Sequence, residues 1–293
     1  MVHAQKINIK GEEDDDDLYA EAGFMFDAAQ PTTRMEFKFN RKHNNSQDAH
    51  EKQITMLLDC IDDDPGSVQS GHYVWPASPA LAQYLLDDYS ANIRITTKTT
   101  NIIELGCGCG LAGLMALHLH SPNSRIIFTD HDPGTLNRAR VNFETNKSHF
   151  KSSSTCEPLA YFEHLAWGDQ NQVESFMQVK GITGFDIVLG SDLIYSMDVV
   201  SPLLQTVAQL LQHSMGIMFL SQSFIYDDAT EECIESCCAQ LHLTRKIIID
   251  LLDGNQHRTD EAASKPQNIG MANARVKIQT FQIDTKRNFS DIS

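Results

Sequence analysis

The sequence predicts an α/β protein: a mostly parallel seven-stranded sheet with helices on both faces and an antiparallel pair at its C-terminal edge. Three observations point there. Short apolar runs alternate with helical repeats from residue 73 to about 250, the pattern left by parallel strands and their crossover helices. A turn with four glycines in eight residues, Gly106 to Gly113, lies between one such run and the next helical repeat. The last two apolar runs have no helix between them, so they can pair antiparallel.

The elements follow in order. Residues 1–35 read as an acidic, disordered tail, because Glu12 and Glu13 run into Asp14, Asp15, Asp16 and Asp17 without apolar period and self-repulsion opposes collapse. The other reading of this tail is a docking arm for a basic partner. Residues 36–71 form a strand extension. Met35-Glu36-Phe37-Lys38-Phe39 alternates apolar and polar, Ile54-Thr55-Met56-Leu57-Leu58 is a second strand, and Asp62-Asp63-Asp64-Pro65-Gly66 is a turn. The main domain, 72–293, opens with Ser78 as an N-cap and Pro79 in the first turn of a helix carrying Leu81, Tyr84, Leu85 and Tyr89. Strands then fall at 101–105, 126–129, 159–165, 186–189, 216–220, 246–251 and 274–283. Helices fall at 111–120, 135–146, 173–179, 199–211 and 229–241. The polar stretch 253–270 is long enough to be disordered or functional.

Bulk properties narrow the function. The 293 residues supply one α/β domain plus an N-terminal extension. With 23 basic against 39 acidic residues the net charge is −16. Such a surface repels phosphate backbones and anionic lipids, so neither nucleic acid nor membrane is expected as a partner and a basic protein is. Within residues 1–30 eight acids face two lysines, so over a third of the excess belongs to the tail. Seven cysteines without framework spacing, no apolar leader and no run approaching the ~18 residues of a membrane span read as reduced thiols of an intracellular chain, cytoplasmic or nuclear.

The chemistry centres on Glu104-Leu105-Gly106-Cys107-Gly108-Cys109-Gly110-Leu111-Ala112-Gly113. Glycines let the chain turn tightly and let a ligand approach the backbone, and open parallel sheets bind ligands at their carboxyl ends. Two cofactors compete. Gly108-x-Gly110-x-x-Gly113, with Asp130 further on for a ribose, fits a dinucleotide and an oxidoreductase. Glu104 ahead of Gly106-x-Gly108-x-Gly110 repels a pyrophosphate and suits a cationic ligand, S-adenosyl-L-methionine. The electrostatics favour the methyl donor. A second motif, Ser191-Asp192-Leu193-Ile194-Tyr195, follows a central strand and faces the same crevice; taken alone, Asp192 is equally a turn or N-cap residue. Cys233/Cys237 and Cys238/His242 have a zinc-compatible spacing but point about 100° apart around one helix, so no metal is expected.

Together with Thr129-Asp130, Trp167-Gly168 and Tyr73-Val74-Trp75-Pro76-Ala77-Ser78, these motifs resemble the seven-β-strand S-adenosylmethionine-dependent methyltransferases. More narrowly they resemble the lysine-methyltransferase-like family 16, whose members carry Asp-x-x-Tyr after the fourth strand, and within it the branch of methyltransferase-like protein 23. The resemblance covers residues 72–225 in order. It implies a Rossmann-like sheet and a protein N-methyltransferase acting on lysine, or alternatively on arginine. It further implies cofactor contacts at Trp75, Glu104, Gly106, Cys107, Gly108, Gly110, Asp130, Trp167 and Ser191, and a substrate channel shaped by Asp192 and Tyr195 as catalytic residues. Replacing Asp192 by Ala is expected to abolish turnover and leave the fold intact. A fold-keeping, non-catalytic interaction protein is the remaining alternative.

Overall fold

The computed structural model describes residues 2–7, 32–41, 53–61, 70–89, 100–120, 124–150, 159–212, 215–252 and 275–284. Two sheets are present. The smaller is an antiparallel meander of Val2–Lys6 (β1), Thr33–Phe39 (β2) and Ile54–Cys60 (β3). The period-2 pattern holds: Phe37, Phe39, Met56 and Leu58 face inward and are fully buried. The tail expected over 1–35 is corrected at both ends. Val2–Lys6 pairs with β2 in register, Val2 opposite Phe39, and Val2 is buried; Thr33 and Arg34 already belong to β2. Backbone pairing and an apolar anchor at Val2 outweigh the charge that follows. The acidic run 12–17, the turn at 62–66 and the stretch 253–270 lie outside the described residues.

The larger sheet holds Asn101–Glu104 (β4), Arg125–Asp130 (β5), Leu159–His164 (β6), Ile187–Ser191 (β7), Ile217–Gln222 (β8), Leu243–Asp250 (β9) and Lys277–Ile283 (β10). Its order is β6-β5-β4-β7-β8-β10-β9. β6 through β8 run parallel, and β10 lies between β8 and β9, antiparallel to both. Helices occupy Ala77–Tyr84 (α1), Leu111–His120 (α2), Pro133–Asn146 (α3), Gln170–Lys180 (α4), Val200–Leu211 (α5) and Asp228–Gln240 (α6). Because the sheet is covered on both faces, its central strands are continuous apolar runs rather than alternating ones. Successive residues feed opposite cores: Ile102, Ile126, Phe128 and Leu189 pack on the side of Leu111 to Leu117, and Ile103, Ile127, Val188 and Leu220 on the side of Leu203 to Leu211.

Helix starts follow local chemistry where a short acid is available. Asp132, Asp169 and Asp227 each accept a bond from the backbone N–H three residues on. Helix α1 departs from this. It begins at Ala77, Ser78 lies inside the first turn, and no local side chain caps it. The Ala77 N–H is instead answered by Asp192 Oδ2 at 3.2 Å, a cap supplied across the fold by the carboxyl end of β7.

The chain builds outward from β4 to β5 and β6, then returns to place β7 on the other side of β4. That reversal is the topological switch point where open α/β sheets leave a crevice. The turn 105–110 and the motif 191–195 therefore flank one crevice. No helix among the described residues is long and apolar enough to cross a membrane.

Gly113 is a test of how tightly α2 lies on the sheet. A Cβ there would come 2.5 Å from both Glu104 Oε2 and Phe128 Cε1. Gly113→Ala is expected to lower stability by roughly 1–3 kcal/mol, read as a lower urea midpoint at unchanged slope; an unchanged midpoint contradicts the packing.

Candidate functional site

The glycine turn is shaped by backbone demands. Leu105 N–H still bonds Leu189 O across to β7 at 2.9 Å, and Cys107 N–H donates to Thr129 O at 2.9 Å toward β5. Between and beyond these ties Gly106, Gly108 and Gly110 have φ of 51°, 52° and 81°, left-handed values that side chains resist. Space is short as well. A Cβ on Gly106 would lie 2.8 Å from Leu193 Cδ2 and 3.2 Å from Trp167 Cζ2, and one on Gly108 would lie 3.2 Å from Gly71 O. Cys107 and Cys109 are buried, and burial pushes both thiols well up. They are neutral lining groups rather than nucleophiles.

A strap from Ser70 to Trp75 crosses the turn. Cys109 Sγ lies 3.3 Å from His72 O as a weak donor, and Trp75 Nε1 donates to Ser70 O at 2.9 Å. Trp75 stands edge-on to Tyr73 and is 40% exposed, an apolar face free to meet a ligand. Trp167, half-buried, packs over Gly106 from the far side. The strap also carries His72, which the sequence motifs did not single out. Burial and the Arg138 charge lower its pKa, against the pull of Asp132 and Asp130.

Two acids lie under the turn at different depths. Asp130 closes β5; its Oδ1 accepts from Asp132 N–H at 3.1 Å and lies 3.2 Å from His131 Nδ1, and its Oδ2 accepts from Gly108 N–H at 3.4 Å. Glu104 is fully inside, 1% exposed, and its Oε2 accepts from Gly113 N–H at 3.1 Å. Burial raises its pKa to about 8, with the Gly113 bond opposing and Asp130 adding to the rise. Burial therefore favours the protonated form of Glu104, which braces α2 on β4. It lies beneath the turn rather than at its surface.

Across the crevice Ser191 ends β7 and sits opposite Ser221 of β8. Asp192 holds φ 52°, unusual outside glycine but accessible to Asp. Its Oδ1 accepts from Ser223 N–H at 2.7 Å, and its Oδ2 from Ser223 Oγ–H at 2.9 Å and from the Ala77 N–H. Burial raises the Asp192 pKa while these three bonds hold it down. Ser223, another residue the motifs missed, lies between two neighbours held by a row of side chains: Arg245 Nε donates to Gln279 Oε1 at 2.6 Å, Gln279 Nε2 to Gln222 Oε1 at 2.8 Å, and Gln222 Nε2 to Phe224 O at 2.8 Å. Tyr195 is 69% exposed at the rim. The expected catalytic pair is thus split in depth: Asp192 ties β7, α1 and the end of β8 together, and Tyr195 faces outward.

Among the described residues six cysteines are free thiols, and no group of three or more His, Cys, Asp or Glu could hold a metal ion. The crevice residues fit a nucleoside ligand without phosphate. A backbone cradle that a Cβ would fill lies at Gly106 and Gly108, an acid lies beside it at Asp130, and aromatic faces lie at Trp75 and Trp167. This sheet order, with a crevice at the switch point, is a Rossmann-like α/β fold. The chain belongs to the lysine methyltransferase family, whose sequence profile matches residues 56–236. It is 28% identical over 210 residues to the protein-lysine methyltransferase METTL21E of Mus musculus, covering 71% of this chain and 74% of that one. It is 31% identical over 147 residues to the protein N-lysine methyltransferase METTL21A of the same species, covering 50% and 57%. It is 27% identical over 156 residues to the mouse histone-arginine methyltransferase METTL23, covering 53% of each. The chain is a methyltransferase with S-adenosyl-L-methionine as its methyl donor, which decides against the dinucleotide reading.

Two outcomes check this geometry. A carboxyl whose folded pKa lies above its unfolded value binds an extra proton in the native state between the two, so stability falls as pH rises through that window. For Glu104 the window runs from 4.5 to about 8. Glu104→Gln is expected to flatten the decline of Tm between pH 5 and 8; parallel curves for variant and parent refute it. Asp192→Ala removes the acceptor of the buried Ala77 N–H and of Ser223. It is expected to destabilise on the order of 1–3 kcal/mol per orphaned donor, with Asp192→Asn milder. A lower melting temperature measures the structural share of Asp192, and an unshifted melting curve for the alanine variant contradicts that share.

Proposed function

We propose that this protein transfers a methyl group from S-adenosyl-L-methionine to a lysine side chain of a protein substrate. The match to the lysine methyltransferase family over residues 56–236 carries this reading, and relatives named as protein-lysine methyltransferases support it. Trp75, Gly106, Cys107, Gly108, Gly110, Asp130, Trp167 and Ser191 hold the cofactor, with Asp130 taking the ribose hydroxyls. Glu104 acts from beneath the turn through Gly113. Bound there, the cofactor supplies an electrophilic methyl carbon.

The chain's own work is alignment and desolvation. The substrate amine must arrive neutral and in line with the methyl carbon. Tyr195 at the rim can accept or donate a hydrogen bond to the entering amine. Asp192 is a positioning residue: through Ala77 and Ser223 it sets the crevice walls between α1, β7 and β8. Half-buried aromatic and apolar walls disfavour the ammonium form and favour loss of its proton to solvent. A net charge of −16 favours approach of a basic protein segment, and free cysteines accord with a cytoplasmic or nuclear setting. The likeness to a histone-arginine methyltransferase gives the second reading, an arginine acceptor.

Incubation of a cell lysate with the enzyme and tritiated S-adenosylmethionine should label protein bands whose hydrolysates contain methyl-lysine. Methyl-arginine in its place selects the second reading, and no transfer to protein rejects both. Tyr195→Ala should lower kcat at least about tenfold with little change in S-adenosylhomocysteine affinity. Asp130→Ala should weaken that affinity by a similar factor, measured by calorimetry; unchanged binding removes Asp130 from the ribose site.

A further inference from the structure

Two asparagines one helical turn apart on α3, Asn142 and Asn146, are fully buried. Both read the open edge of β3, whose other edge is taken by β2. Asn146 Oδ1 accepts from Leu57 N–H at 2.8 Å and its Nδ2 donates to Leu57 O at 2.6 Å. Asn142 repeats the pattern two residues along: Oδ1 accepts from Asp59 N–H at 2.7 Å and Nδ2 donates to Asp59 O at 3.3 Å. Four helical residues rise about 6 Å, close to the span of two strand residues, so each amide stands in for a peptide of a neighbouring strand. An edge that would otherwise be exposed is closed.

The two differ in their last bond. Asn146 Nδ2 returns to its own helix, donating to Asn142 O at 2.7 Å. Asn142 Nδ2 donates to Cys109 O at 3.0 Å, inside the glycine turn and between two glycines with positive φ. One side chain therefore joins the N-terminal sheet, α3 and the turn. At the same point of the sheet, Arg34 grips the Asp59 carboxylate with two bonds of 2.6 and 2.8 Å, which locks β2 to β3 where Asn142 reads the backbone.

We infer that Asn142 is a positioning residue for the cofactor turn, and that through it the three-stranded N-terminal sheet sets the turn's affinity for the cofactor. This rests on the reading that the turn holds S-adenosylmethionine. A turn rich in glycine has much freedom to lose on binding. Fixing the Cys109 carbonyl beforehand lowers that cost. Coupling between sites is reciprocal, so the ligand must tighten β3 in return.

Hydrogen exchange on the full chain with and without S-adenosylhomocysteine separates the claims. Slowing at 105–110 is the outcome of the underlying reading, and its absence rejects that reading. Slowing at Leu57 and Asp59 beyond that at β9, on the far edge of the large sheet, is the outcome of the inference. Slowing at the turn with β3 no more protected than β9 overturns the inference alone. Calorimetry on variants gives a second measure. Asn142→Ala and Asn146→Ala both lose a sheet clamp and should both lower Tm. Asn142→Ala should raise the S-adenosylhomocysteine Kd about tenfold, within the usual range of coupling, and Asn146→Ala less than about threefold. Equal shifts, or none for Asn142→Ala, reduce Asn142 to a sheet clamp and overturn the proposal. If Asn142→Ala does not fold, Asn142→Ser carries the same comparison.

Discussion

Leu193 lies across the carboxyl ends of β4 and β7, and the crevice depends on its doing so. Its Cδ2 approaches within 2.8 Å of where a Cβ of Gly106 would stand, and its Cδ1 within 2.5 Å of where a Cβ of Gly190 would stand. Neither strand end can carry a side chain without displacing Leu193. The glycine turn and the Asp192 motif are therefore two halves of one packed unit rather than two motifs that happen to face each other. Interiors packed at this density transmit small shifts, so the positions of Trp167, Asp192 and the turn are set together.

Around that contact the site divides charge by depth. Glu104, beneath α2, is pushed toward its protonated form by burial and serves as a brace. Asp130 lies nearer the turn and accepts from backbone N–H groups of Gly108 and Asp132, a setting that suits a carboxylate facing ribose hydroxyls. Asp192 spends its oxygens on Ala77 and Ser223. Asp130 thus lies nearer the turn than Glu104, whose carboxyl braces α2. The aromatic residues Trp75 and Tyr195 stay at the surface.

The N-terminal sheet is part of this arrangement. Val2 to Lys6 closes a meander whose open edge is capped by Asn142 and Asn146. Burying two primary amides is costly unless every bond is made. Here each makes three, so the polar pair also fixes the register of β3 against α3. A one-residue slip of β3 would present the wrong N–H and C=O groups to both amides and turn Met56 and Leu58 outward.

What the sequence determined by itself is what local pattern can carry. Continuous apolar runs and helical periods mark every strand and helix of the large sheet, because burial on one or both faces writes its period into the chain. The missing helix between the last two strands marks the antiparallel edge. Glycines at 106, 108 and 110 mark the turn, since positive φ and close approach exclude other residues. Tertiary structure decided what depends on residues far apart in the chain. Ser78 has the local chemistry of a cap, yet Asp192 caps α1 from 115 residues away. Glu104 has the place of a free acid in its motif, yet its burial beneath Gly113 shifts its proton. Val2 to Lys6 has little local signal, yet an open strand edge recruits it. In each case the deciding partner is set by which strand ends the crossovers bring together, and no window of local sequence contains that information.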